Sequence, residues 1–438
     1  MQTLKTQDLI ALGFMTFALF LGAGNIIFPP IVGQASGDHL WASTLGFLLT
    51  GVGLPLLTVV ALARVGGGMD ALTAPIGRVA GTLLGVAVYL AIGPLFATPR
   101  TATVSFEMGF APFVGHGAGA LFTYTVVYFG LTMLIALFPG KLIDNVGKLI
   151  TPALIVALLI LGGAAVWLPA GELGASTGAY QAAPLSQGFL QGYQTMDALG
   201  ALVFGIVIVN AIRDRRVTST SLQTRYAIIA GVIAAVGLGL VYISLIYLGA
   251  TSGNLAPDAQ NGVLILTRYV QHTFGWPGSV LLAVVISLAC LTTGVGLVTA
   301  CGEYFSRLLP VSYRTVVVVV SLFSMAVANQ GLAQLIAVSV PVLVGLYPLA
   351  ITLVALSLLS GVWRSPRRVF VPAMLVAAVF GLIDGLANAG FTAWVPAWSQ
   401  ALPGAALGLG WVLPVVSTLV LAALADRLQA APVVRSSR

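Results

Sequence analysis

The sequence predicts an all-α polytopic membrane protein of twelve transmembrane helices, with helices 1 and 6 broken. Three observations carry that prediction. Hydrophobic residues make up 59% of the 438-residue chain and charged residues 7%, with a mean hydropathy of +1.04. No soluble domain of this length needs so much apolar surface. Apolar residues run for about 20 at a time instead of alternating, which argues against a β-barrel. Two of the runs carry residues at their middles that suit a helix in hydrocarbon badly: Gly22-Ala23-Gly24-Asn25 and Gln194-Thr195-Met196-Asp197.

Taken in order, the spans read as 8–30, 40–63, 79–111, 118–138, 147–168, 187–212, 226–250, 279–306, 312–328, 331–359, 369–388 and 406–425. Lys5 and Asp8 precede the first span with no small-residue cleavage site, so no secretory leader is expected. Pro29-Pro30 reads as the stop of the first span, and Pro94 and Pro99 as bends in the third. With both termini cytoplasmic, all but Arg100 and Arg268 of the 19 Lys and Arg fall on the inner side. Lys141, Lys148, Arg435 and Arg438 belong to that inner set. The net charge of +7 therefore sets topology against the lipid bilayer and does not point to nucleic acid. The longest loop, 251–278, carries an apolar stretch from Val263 to Val270 that suits a short helix over the outer mouth. Trp394 and Trp398 suit the interfacial aromatic belt.

The two breaks also define a repeat. The first broken span runs outward and the sixth runs inward, so a repeat of five spans must be inserted upside down. Residues 1–169 then form the first inverted repeat, 185–360 the second, and 361–438 two added helices with a cytoplasmic tail. Broken spans of this kind line protected cavities, and their half-helix ends face a substrate and a coupling ion. That is the pattern of a secondary transporter.

Candidate chemistry sits at four places. Gly22 and Gly24 let the chain leave helical geometry, and the half-helix starting near Asn25 would offer free N–H groups to a carboxylate; close helix packing is the alternative. Asp197 lies near the bilayer midplane, where a lipid-facing carboxylate costs about 2.5–3.5 kcal/mol. It could meet a substrate ammonium or a cation, take a proton, or cap the broken helix. In span eight Ala289, Thr292 and Thr293 share one face, which suits a hard cation, or leaves two threonines bonding their own helix. In span three Arg100 and Glu107 lie roughly on one face and form a candidate outer gate or ion pair, with Asp384 as another partner.

Other chemistries find no support. There is no phosphate-binding loop for ATP and no paired-histidine or Ser-His-Asp signature, so no enzyme, cofactor or metal beyond sodium is expected. His39, His116 and His272 fall in separate outer loops. Cys290 and Cys301, eleven residues apart on one helix, are too distant to bridge. No obligate protein partner is inferred.

The segment Phe17 to Pro30, Phe-Ala-Leu-Phe-Leu-Gly-Ala-Gly-Asn-Ile-Ile-Phe-Pro-Pro, resembles the first-span signature of the bacterial branched-chain amino acid:cation symporters. Gly93-Pro94-Leu95-Phe96-Ala97-Thr98-Pro99-Arg100-Thr101 resembles that family's third span, and Thr195-Met196-Asp197-Ala198-Leu199 its sixth. The resemblance runs the length of the chain. It implies the leucine-transporter fold of the amino acid–polyamine–organocation superfamily. It also implies sodium-coupled import of leucine, isoleucine and valine across the bacterial cytoplasmic (inner) membrane, by alternating access. The resemblance places a substrate site at Gly22, Ala23, Gly24, Asn25, Thr195, Met196, Asp197 and Leu199, with Tyr89 reaching the carboxylate. It places a sodium site at Ala18, Leu21, Ala289, Thr292 and Thr293. Where relatives with a second sodium carry a small residue, Phe20 stands here. A proton-coupled symporter titrating Asp197, and a carrier of other small apolar amino acids, are the alternatives.

Overall fold

The computed structural model describes residues 4–138, 141–217 and 219–428, with backbone alone for 141–153. Of the basic residues read as cytoplasmic, the Lys141 and Lys148 side chains and the tail residues Arg435 and Arg438 lie outside that description. Every regular element among the described residues is helical.

The first broken span consists of α1 (Thr6–Phe20) and α2 (Gly24–Ser36). Pro29 and Pro30 do not stop α2, contrary to the sequence reading. The helix runs on to Ser36 and ends at Gly37, whose φ of 45° reverses the chain. The prolines withdraw two N–H donors from inside the helix without breaking it. The chain returns as α3 (Leu40–Leu48) and α4 (Leu54–Val65), joined by a π turn over Leu49–Gly53. The reversal is visible at Tyr242, which both Asn25 and Gly51 reach.

Span three is α5 (Arg78–Leu90) and α6 (Ala97–Gly109), separated by a π turn at Ala91–Leu95. Gly93 there is non-helical (φ −85°, ψ −116°) and Phe96 leaves the helix at φ −132°. Pro94 therefore marks a kink within one continuous span, as expected, while Pro99 lies inside α6. Then come α7 (Ala118–Leu137), α8 (Lys141–Trp167) and the second broken span, α9 (Pro184–Gly192) and α10 (Asp197–Arg213). The halves of that span meet at 44°. Next are α11 (Thr220–Thr251) and α12 (Gly262–Leu308). The outer stretch before span eight is helical as expected, and it continues into the span through a kink at Gly275 (φ 64°, ψ −157°). The remaining long helices are α13 (Tyr313–Ala328), α14 (Leu332–Leu358), α15 (Pro366–Asn388) and α16 (Val412–Leu428). Among the described residues, seven helical stretches are long and apolar enough to cross a membrane, or eight with the bent pair counted as one.

Two close parallel contacts organise the bundle. The first broken span lies along α11: Gly13 faces Ile233, Pro30 faces Gly249 and Gly33 faces Ile246. The second lies along α3 and α4: Ser43 faces Gly188, Thr50 faces Gly192 and Leu62 faces Gly205. Each broken span thus packs on the helix that follows the other break. At one end of the bundle Arg213 bonds the Gly66 carbonyl, Arg64 bonds the Leu358 carbonyl, and the amides of Arg364 and Ser365 bond Asp426. At the other, the Ser176 amide bonds Asp38 and the Thr177 amide bonds the Ala35 carbonyl. Basic residues therefore gather at one end.

The glycines at these contacts allow backbones to touch. A Cβ on Gly249 would lie 1.9 Å from the Pro30 carbonyl oxygen. Replacing Gly249 by Ala should push α2 off α11 and cost about 1–3 kcal/mol. Replacing Gly239 on the same helix, where a Cβ meets nothing within 4 Å, should be close to neutral. Thermal unfolding of the two variants in detergent tests this; equal midpoints would contradict the packing.

Candidate functional site

The site begins with hydrogen bonds that the first break redirects. Leu21 turns out of the helix at ψ 91°. The Gly22 amide then donates to Asn25 Oδ1 (3.0 Å), and the Asn25 amide to the Gly22 carbonyl (3.2 Å). Neither amide reaches the carbonyl four residues earlier, so those of Ala18 and Leu21 lack their helical donors. Among the described residues the amides of Ala23 and Gly24 also find no backbone acceptor. The break between Phe20 and Gly24 thus bares oxygens toward α1 and N–H groups toward α2.

The second break is a tight turn at Tyr193–Thr195 followed by Met196 in the left-handed region (φ 64°, ψ 9°). A side chain rarely adopts that conformation, and its cost is of order 1 kcal/mol. The two breaks touch. A Cβ on Gly24 would lie 3.0 Å from the Thr195 carbonyl oxygen, so only glycine fits without a shift.

Polar side chains tie the contact together. Asn25 Nδ2 donates to Asp197 Oδ2 at 2.7 Å and also to the Tyr242 hydroxyl. The Tyr242 hydroxyl in turn donates to the same Asp197 oxygen at 2.5 Å. Asn25 is 1% exposed and Asp197 5%, so these bonds form away from bulk water. Both bonds to the carboxylate fall on Oδ2, and Asp197 also lines the cavity described next.

That cavity has a volume of about 50 Å³, room for several waters. Of the residues expected at the substrate site, Gly22, Ala23, Gly24, Asn25, Thr195, Met196 and Asp197 line it, and so does Thr293, a residue of the expected sodium site. Its apolar wall is Leu19, Phe20, Ile92, Phe204 and Leu297. Arg100 also reaches it, 2% exposed. Arg100 Nη1 donates to the Gln194 carbonyl at 2.7 Å and Nη2 to Ser339 Oγ at 2.8 Å, and its guanidinium stands 5.1 Å from the centre of the Phe28 ring.

Beside the first break, Thr293 lies against Gly22: a Cβ there would be 3.4 Å from Thr293 Cγ2. Thr292 and Thr293 donate to the Ala289 carbonyl at 2.8 and 3.0 Å, which holds three oxygens together on α12. Ala18, Leu21, Ala289 and Thr292 do not line the cavity; with Thr293 they offer oxygens alone, the donor type a hard cation such as sodium takes.

Several expected residues stand elsewhere. Tyr89 is not at the cavity: its ring stacks on Tyr304 with centroids 3.8 Å apart, below the Gly93 kink that turns the chain away. Leu199 is fully buried but does not line the cavity, because it points off the face shared by Asp197, Gly200 and Phe204. Arg100 and Glu107 do not pair. They are two helical turns apart, about 10 Å along the axis, and Glu107 bonds His116 at 2.9 Å. Arg100 makes no ion pair with Asp384 either, whose Oδ2 has no hydrogen-bond partner among the described residues. Gln194 and Phe28 stand in the two break motifs without an assigned role, and Tyr242 and Ser339 are not singled out by the sequence, because a tyrosine or serine in an apolar span carries no periodic signal.

Comparison with known proteins identifies the family and the fold. A family model described as branched-chain amino acid transport protein matches residues 5–429. The branched-chain amino acid transport system 2 carrier protein of Pseudomonas aeruginosa is 67% identical over 432 residues, 99% of each chain. A branched-chain amino acid permease of Escherichia coli is 55% identical over 424 residues, 97% of each. One of Bacillus subtilis is 46% identical over 417 residues, 94% of each. Among solved structures, MhsT in complex with L-phenylalanine superposes with a TM-score of 0.58 at 16% identity, covering 97% of this chain and 99% of that one. The inward-facing conformation of Mhp1 gives 0.60 at 14% identity, covering 96% and 90%. The fold is therefore shared with these leucine-transporter-like structures.

The bonds at Asn25 rank two substitutions. Tyr242→Phe removes one donor from Asp197 and should cost about 1–3 kcal/mol of stability. Asn25→Ala removes a donor to Asp197 and also strands the Gly22 amide, so it should cost more. Unfolding midpoints in the reverse order would contradict the network.

Proposed function

The chain belongs to the family of branched-chain amino acid transport proteins, and we propose that it imports leucine, isoleucine and valine by sodium symport through alternating access. It is a transport protein and not an enzyme. The observation that carries the proposal is the junction of two helix breaks at Asn25 and Asp197, with bare amides, a carboxylate and an apolar wall around one cavity.

The substrate carboxylate docks on the Ala23 and Gly24 amides, where the α2 dipole adds positive potential. The ammonium meets the Asp197 carboxylate and the carbonyls of the second break. The aliphatic side chain lies against Phe20, Phe204 and Leu297, where each buried methylene contributes about 0.8 kcal/mol. The oxygens of Ala18, Leu21, Ala289, Thr292 and Thr293 fit a sodium ion and would hold it between α1 and α12. Sodium there favours the conformation open to the outside, and substrate and ion leave together once the inner path opens.

Twelve spans, with 1–169 and 185–360 as inverted repeats and 361–438 appended, complete the reading. The reciprocal packing of each broken span on the helix after the other break supports the repeat. The gathering of Arg64, Arg213 and Arg364 at one end supports a cytoplasmic location for both termini in a bacterial inner membrane.

Leucine uptake into proteoliposomes, with an inward sodium gradient against matched choline at constant pH, tests the proposal. Accumulation above equilibrium is expected with sodium alone. Replacing Thr292 and Thr293 together by Ala should lower the sodium stimulation by about tenfold or more, the loss expected for ion contacts of a few kcal/mol. Uptake driven only by a pH gradient would move coupling to Asp197, and unchanged sodium stimulation in the double variant would remove the ion site.

A further inference from the structure

Arg100 is a buried cation without a counter-charge. It is 2% exposed in the middle of a bundle that spans a membrane. Among the described residues no carboxylate pairs with it. Asp197 Oδ2 is taken by Asn25 and Tyr242, Glu107 bonds His116, and the two acceptors Arg100 does have, the Gln194 carbonyl and the Ser339 hydroxyl, are neutral. A buried ion is retained only where something offsets its desolvation. An ionisable group at that depth marks the path of a substrate or ion.

The side chain is also aimed. Nη1 and Nη2 each carry two hydrogens, and each spends one, on Gln194 and on Ser339. Those two bonds and the Phe28 ring fix the guanidinium plane from α2, α14 and the turn of the second break, leaving Nε without a partner among the described residues and one hydrogen on each terminal nitrogen. Two N–H groups on adjacent nitrogens form the fork that grips a carboxylate with both oxygens. Arg100 lines the same cavity as the bare Ala23 and Gly24 amides.

We propose that Arg100 binds the α-carboxylate of the transported amino acid, so that the substrate supplies the missing counter-charge and the cavity selects for a carboxylate. This rests on the amino acid transport reading above. With Asp197 lining the same cavity, the site presents one fixed cation and one fixed anion, the complement of a zwitterion. Amines without a carboxylate then leave Arg100 unpaired and are rejected, which an apolar pocket and helix dipoles alone would not achieve.

The test compares L-leucine with L-leucinamide, which keeps the ammonium and the side chain but lacks the carboxylate. Affinity is read from the ligand-induced shift in thermal midpoint of the full-length protein in sodium-containing detergent buffer. In Arg100→Gln, leucine affinity should fall about 10- to 100-fold, the range for a hydrogen-bonded charge, while leucinamide changes less than about threefold. Arg100→Lys keeps the charge without the fork; it should lose about tenfold for leucine alone, and it decides the matter if the glutamine variant does not fold. A folded variant that keeps the wild-type leucine-to-leucinamide ratio overturns the proposal. So does leucine binding that requires chloride in the wild-type protein and loses that requirement in Arg100→Gln, because a resident anion would then hold the site. A wild-type protein that binds no branched-chain amino acid at all overturns the transport reading as well.

Discussion

The hydrogen bond from Asn25 to Asp197 is the contact on which the rest of the site depends. It joins two chain segments separated by most of the first half of the protein, at the point where each abandons its helix. Broken backbone is tolerated at membrane depth only when its polar groups find partners inside the protein. Asn25 supplies them in both directions: its carbonyl oxygen takes the Gly22 amide, and its nitrogen reaches Asp197 and Tyr242. The left-handed Met196 and the close approach of Gly24 to Thr195 follow from that junction. Neither conformation would persist alone, because each carries strain that the surrounding bonds must hold.

The break at Gly22–Asn25 faces two ways. Toward α1 it leaves carbonyls without donors, and toward α2 it leaves amides without acceptors. Carbonyl oxygens suit a hard cation and amides suit an anion. A cation and an amino acid that share this short segment must each feel the backbone geometry the other prefers. This gives a physical route for coupling without a long chain of intermediates. Arg100 belongs to the same logic: it approaches the cavity from span three and is held by α14 and by the turn of the second break. The cavity therefore draws on spans that a conformational change would have to move relative to one another.

Much of this was legible in the sequence because membrane insertion punishes the wrong residue heavily. Glycines, an Asn and an Asp inside apolar runs stood out against hydrocarbon, and they marked both breaks. The Ala289, Thr292 and Thr293 face stood out by its spacing, and Thr293 indeed lies against Gly22. What could not be read was tertiary. Pro29-Pro30 resembles a stop, yet α2 continues through it to Gly37. Arg100 and Glu107 share a spacing but find different partners across the bundle. Tyr89 and Tyr242 are alike as letters in apolar spans. Only packing sends one to Tyr304 and the other to Asp197.

The central claim is that one helix break serves cation and substrate together. Reciprocity of binding tests it most directly. Leucine affinity should be measured across sodium concentrations balanced with choline, and sodium affinity with and without saturating leucine, at one pH and ionic strength. Linked sites require the same factor in both directions. The account predicts a common factor well above one. Leucine affinity indifferent to sodium would contradict it.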